Sequence, residues 1–211
     1  MAIARDFGFI GRLCLDLAHT GDMGHGARFE RLTTPSEFAR WLQLSPLGLP
    51  PVKVSLRELK NARMLRSAIW RVVEAVVKRT VPTAGDIRLL NRMARQPGLT
   101  RQLDLAAKSM RWHRPAAANA LATIAQDAVM LLGDPTQRKR IRRCENSGCK
   151  VIFYDDSRPG LRRWCAAKRC GDRMRARLYR KRHKTKGIGD VATWKASSTK
   201  FAQSRRTTGH A

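Results

Sequence analysis

The sequence predicts a mainly α chain: a helical N-terminal domain followed by a small cysteine-pinned β-hairpin and a basic helix. Three observations carry that prediction. Two capping boxes, Thr34-Pro35-Ser36-Glu37 and Ser55-x-x-Glu58, each open onto apolar residues at helical spacing. Four cysteines, Cys144, Cys149, Cys165 and Cys170, form two C-x4-C pairs with fifteen residues between them. The last cysteine leads directly into arginines that recur at helical spacing.

In the first box Thr34 is the expected N-cap and Pro35 the first helical residue, after which Phe38, Trp41 and Leu42 share a face. The second opens the longest helical pattern, with Leu56, Leu59, Leu65, Ile69, Val72, Val73, Val76 and Val77 on its expected buried side and Pro82 ending it. Met64 and Trp70 on this helix read as core. A short helix is expected from about Ala84 to Arg95, closed by Pro97-Gly98. Residues 99–114 alternate in a way that suits a strand or hairpin arm. Pro115 starts a strongly apolar helix to about Leu132, which Gly133-Asp134-Pro135 stops. That break closes a first domain, 1–135, long enough to bury its own core. Cys14 reads as a small buried hydrophobe. Asp16 and His19 in CLDLAHT, and Asp22 and His25 after them, read as structural. No catalytic constellation emerges, so the chain is not expected to be an enzyme. A helical domain of this kind is expected to dimerise or to enclose a site for a small effector.

Charge narrows the partner. The chain of 211 residues carries 43 Lys and Arg against 16 Asp and Glu, a formal net charge of +27. Residues 138–190 alone hold 19 of the cations and five of the acids. A charge of that sign draws a protein to DNA, RNA or an anionic membrane. No run of about eighteen apolar residues is present, which argues against the membrane. Arg5, Asp6, Arg12 and Asp16 interrupt the apolar N-terminal stretch, against a secretory signal. Five cysteines without an export signal fit a reducing cytoplasm, where clustered thiols bind metal rather than pair as disulfides. The expected location is cytoplasmic and nucleoid-associated.

The second domain, 138–186, reads as a metal-built module. Lys150–Tyr154 is a compact β-like run, Asp155–Gly160 a turn cluster, and Leu161–Cys165 a returning arm. Zn²⁺ takes four thiolates in a tetrahedron, and two short cysteine pairs supply them without a large core. Four thiolates leave no open position for water, so one zinc ion is expected and its role is structural. Phe153 and Trp164 are the expected core beneath the metal. From Gly171 the chain reads GDRMRARLYRKRHK, with Asp172 suited to cap a helix running to about His183. Arg173, Arg177, Arg180 and Lys184 then form one stripe flanked by Arg175 and Arg182, while Met174 and Leu178 take the opposite side and pack back on the hairpin. Like charges so close repel one another, a cost that a phosphate backbone would remove. Residues 187–211, rich in Lys, Ser, Thr and Gly, read as a disordered basic tail.

The stretch RRCENSGCKVIFYDDSRPGLRRWCAAKRCGDRMRARLYRKR resembles the bacterial CGNR zinc-finger domain: two cysteines, a Phe-x-Asp-x-Ser-Arg turn, an Arg-Trp-Cys arm, then the Cys-Gly-Asn-Arg signature and a basic helix. Upstream, CLDLAHT, the Trp41-Leu42 helix and the apolar helix before the module resemble the helical ABATE domain of stress-induced transcription regulators. The resemblance covers about 1–185. It implies zinc on Cys144, Cys149, Cys165 and Cys170 and DNA binding by the module. Asp172 stands where the motif has Asn, and His19 where the upstream domain commonly has Asn.

The expected function is a zinc-dependent, DNA-binding transcription regulator whose basic helix reads the major groove of double-stranded DNA. Arg173 and Arg177, nearest the helix start, are the expected base-edge contacts, since Arg binds guanine bidentately. Arg162, Arg163, Arg175, Arg180, Arg182 and Lys184 are the expected phosphate contacts. An RNA-binding or ribosome-associated zinc protein has nearly the same electrostatics. A nuclease would use Asp155 and Asp156, which a turn explains better.

Overall fold

The computed structural model describes residues 10–21 and 30–183. Lys184, the tail at 187–211, and Asp22 and His25 lie outside the described residues. The elements in order are α1 (Leu13–Ala18), α2 (Pro35–Leu44), α3 (Leu56–Lys78), α4 (Ala84–Ala94), β1 (Thr100–Leu103), β2 (Met110–His113), α5 (Ala117–Gly133), α6 (Pro135–Arg138), β3 (Ile141–Arg143) and β4 (Ile152–Tyr154). A turn of π-helix at Ala167–Gly171 then runs into α-helix at 172–183, together labelled α7. The chain divides into two compact units, one running through Cys165 and the other from Ala166 onward.

Both capping boxes form. Thr34 Oγ1 accepts the N–H of Glu37 and Ser55 Oγ that of Glu58, while each glutamate reaches back to the N–H of its cap residue. α5 is the central helix of the first unit. Ala117, Ala120, Ala122, Ala125 and Ala128 are all buried. Small side chains on several faces let α1, α3 and α4 approach it closely. Leu15 and Leu17 from α1, Phe38, Trp41 and Leu42 from α2, and Leu65 and Ile69 from α3 complete the core, each almost fully buried. Cys14 is buried there too.

Several expectations change. Leu56 is 75 % exposed, because α3 meets the core only from Leu59, one turn later. Met64 also faces outward, and Trp70 is half-buried with its ring edge against His19. α3 stops at Lys78, before Pro82, as Arg79 turns into the left-handed region (φ 57°) and donates its N–H to the carbonyls of Ala75 and Val76. Residues 99–114 become a complete antiparallel hairpin, β1 with β2. Trp112 Nε1 ties it to the body by donating to the Leu47 carbonyl at 2.9 Å.

The second hairpin differs from the one expected. β4 pairs with β3, Arg142 opposite Phe153, and the arm Leu161–Cys165 is not a strand. Ile141 and Ile152 drop into the helical core, so Tyr154, Phe153 and Ile152 take their partner from the segment before the first cysteine. The hairpin is thereby built onto the helices of the first unit. Arg143 pairs with Glu74 of α3 at 3.3 Å, and His19 Nε2 meets the Ile152 carbonyl at 2.7 Å. Among the described residues, no helix is long and apolar enough to cross a membrane.

Candidate functional site

Cys144 follows β3, and its N–H donates to the Val151 carbonyl. The chain then turns through Glu145–Gly148, with Cys149 N–H donating to the Asn146 carbonyl at 2.7 Å and Gly148 N–H to Asn146 Oδ1. Cys165 comes from the returning arm, tied two residues earlier by Glu145 N–H to the Arg163 carbonyl. Cys170 lies in the π turn, where the N–H groups of Cys170 and Gly171 both reach the Ala166 carbonyl. The four sulfurs lie within 4.8 Å of one another, and none is in a disulfide. Cys149 and Cys165 approach to 3.7 Å. A tetrahedron with Zn–S bonds of about 2.3 Å has S···S edges of about 3.8 Å, so the donor set fits one zinc ion. Burial pushes the Cys144 thiol up, while the N–H groups of Cys165 and Asn146 pull the other way. Metal binding overrides that preference for the neutral thiol, because only thiolate ligates.

Asp155 organises the turn between the two cysteine pairs. It is fully buried, which works against its charge, yet its carboxyl is held below the ordinary range. Ser157 donates both hydroxyl and N–H to Oδ1, Arg162 N–H donates to Oδ2 at 2.8 Å, and Arg142 stands 3.4 Å away. Arg140 clamps the same turn through the carbonyls of Asp155 and Ser157, and Arg142 through that of Gly160. Gly160 sits at φ 64°, a conformation that suits only glycine cheaply. The aspartate therefore serves the turn. Phe153 is fully buried, and Trp164 is partly buried with Arg163 over its ring.

The expected nucleic-acid residues occupy two settings. Arg162 is held within the cysteine module: it donates to the carbonyls of Trp164 and Cys165 and to Asp156, and lies over the Phe153 ring. Arg163 is exposed and paired with Glu145 at 2.6 Å. Arg173, Arg175, Arg177, Arg180 and Arg182 are exposed along α7. Asp172 does not cap this helix. The helix opens five residues earlier, behind Ala166, and Asp172 is already helical and pairs with Arg175. The π turn accounts for the shift, because it makes Cys170 a helical residue rather than a loop residue. Leu178, expected to be packed away, is half exposed, and Tyr179 beside it is 64 % exposed with its ring tilted against that of His183, centroids 4.1 Å apart. Tyr179 was not singled out in the sequence; its signal is an aromatic residue inside an otherwise cationic helical run. Arg140 and Arg142 were likewise hidden among surrounding basic residues.

Family comparison agrees with this geometry. Residues 140–183 match the CGNR zinc finger. Residues 11–135 match the ABATE family, whose description reads "putative stress-induced transcription regulator". No curated protein matches the chain. With more than half of its length covered by the ABATE match, and a four-thiol cluster fitted to one structural zinc ion inside the CGNR match, the chain belongs to the ABATE family and carries a C-terminal CGNR zinc finger.

Proposed function

We propose that this chain is a zinc-dependent transcription regulator that binds double-stranded DNA through α7. Cys144, Cys149, Cys165 and Cys170 bind the zinc, which fixes the start of α7. The observation that carries the reading is the row of exposed arginines, Arg173 to Arg182, that begins three residues after a zinc-fitted cysteine. Arg173 and Arg177 serve as base-edge contacts. Arg162, Arg163, Arg175, Arg180, Arg182 and Lys184 supply phosphate contacts, with Arg162 also bracing the arm at Trp164 and Cys165. In this reading the ABATE-like domain spans 1–135, the finger 138–186 and a basic tail 187–211, with the chain at work on the nucleoid in the cytoplasm. The first domain would supply dimerisation or sense an effector.

Selection of random duplexes by the zinc-loaded chain at physiological salt, with competitor RNA, tests this reading. A recovered motif that disappears on chelation is the expected result. Arg180→Ala should weaken binding to all sequences and lower the salt slope by about one. Arg177→Ala should relax preference at one position. Displacement from DNA by RNA, without any recovered motif, would favour RNA binding instead.

A further inference from the structure

The β1–β2 hairpin in the first unit is not used by the finger. Residues directly opposite one another on an antiparallel pair share a face. Arg101 faces Trp112 and Leu103 faces Met110, so these four form one side of the ribbon. The half nearest the body is docked: Trp112 packs against the core and bonds to Leu47, and Arg101 lies over its ring at 4.8 Å. The outer half is open. Leu103 is 66 % exposed, Met110 51 %, and Leu105 at the tip is entirely exposed.

The charge around this apolar tip is one-sided. Residues 100–114 hold Arg101, Lys108, Arg111 and Arg114 against one acid, Asp104. Asp104 is occupied within the turn, accepting Lys108 N–H at 2.9 Å and the Ser109 hydroxyl at 2.6 Å. An oily tip ringed by cations is badly matched to a second copy of a chain carrying +27, which would set like charge against like. It is well matched to a duplex. Minor-groove proteins neutralise the phosphates with Arg and Lys and insert Leu or Met between base steps, bending the DNA.

We propose that the β1–β2 hairpin is a second DNA-contacting element, with Leu103, Leu105 and Met110 wedging into the minor groove and Arg111, Lys108 and Arg114 holding the flanking phosphates. This inference rests on the duplex-binding reading above and adds to it a predicted deformation of the DNA. Inserting side chains partly unstacks a base step, and the wider contact surface of the bent duplex compensates.

The test uses the full zinc-loaded chain and end-labelled duplexes, with fluorescence transfer reporting the end-to-end distance. The unmodified chain should bend the duplex by at least about 20°. Leu105→Ser/Met110→Ser changes only exposed side chains, so thermal stability and zinc content should hold while the bend disappears and affinity falls by about tenfold. Arg111→Ala should keep the bend and lower the salt slope by about one. An unchanged bend in the double variant overturns the inference. So does a concentration-dependent dimer that the double variant dissolves, which would make the tip a self-association surface. If the unmodified chain fails to bind any duplex, the DNA reading itself falls. If it binds with zinc-dependent preference and the hairpin variants match it, only the hairpin assignment falls.

Discussion

His19 on the turn after α1 donates its Nε2 proton to the carbonyl of Ile152 in β4, 2.7 Å away, joining the helical core to the hairpin that carries the first cysteine pair. The carbonyl can only accept, so the neutral tautomer with the proton on Nε2 is the one present. Burial lowers this imidazole to about 4, outweighing the Ile152 bond, which acts in the opposite direction. The unfolded chain takes up a proton near 6.5 and the folded one only near 4, so this residue's contribution is complete above 6.5 and is lost as the pH falls between them. His19→Gln keeps a donor and removes the titration. Urea unfolding from pH 7 to 4 should show a shallower decline in the variant; equal slopes would exclude His19 as the cause.

Asp16 has the opposite sign. Its Oδ1 accepts the N–H of Ile10, and its Oδ2 is buried without a hydrogen-bond partner. Burial pushes the carboxyl up to about 7 against the Ile10 bond, and the charge of Asp127 pushes it further the same way. The folded state keeps a proton that the unfolded state releases near 4, so stability falls as the pH climbs from about 4 to 7. Asp16→Asn should therefore stabilise the chain at pH 8, on the order of 1–3 kcal/mol, with little effect at pH 4. A gain of the same size at both values would mean that charge is not responsible.

Arg79 ends α3 in a left-handed conformation that glycine adopts without strain. Arg79→Gly should raise stability by about 0.5–1 kcal/mol, read as a higher midpoint in thermal unfolding. A lower midpoint would show that the arginine makes a compensating contact.

Removing one zinc thiol separates the metal module from the helical core. Cys149→Ser should bring the zinc-to-protein ratio close to zero and open the segment around 145–165 to proteolysis. The near-ultraviolet signal of Trp41, fully buried between α2 and its neighbours, should persist. Full retention of metal would contradict the assignment of this sulfur.

The helices were legible because their signals are local. A capping box is read within four residues, and Pro35, Ser55 and the stop at Gly133-Asp134-Pro135 each act on their immediate neighbours. The four cysteines were legible because the metal needs a fixed number of one atom type. The strand partner of β4 was not, because Leu161–Cys165 and Ile141–Arg143 are both plausible arms. Burial of Ile141 in a core assembled from distant helices decides between them. The start of α7 was misplaced for a related reason: the π turn leaves no capping side chain to mark it, only Ala166. The role of Asp155 was seen only as a turn, whereas its burial and its bonds to Ser157 and Arg162 come from residues that fold back onto it.

Within residues 138–183 each acid is already engaged by an arginine of the same segment: Glu145 by Arg163, Asp155 by Arg142, Asp156 by Arg162 and Asp172 by Arg175. No carboxylate there is left to repel an approaching phosphate. In the duplex-binding reading proposed above, such a surface would hold weakly to any stretch of duplex and travel along it, shortening the search for a target from three dimensions to one. The time taken to arrive, as much as the strength of the final complex, would then respond to the salt of the cell.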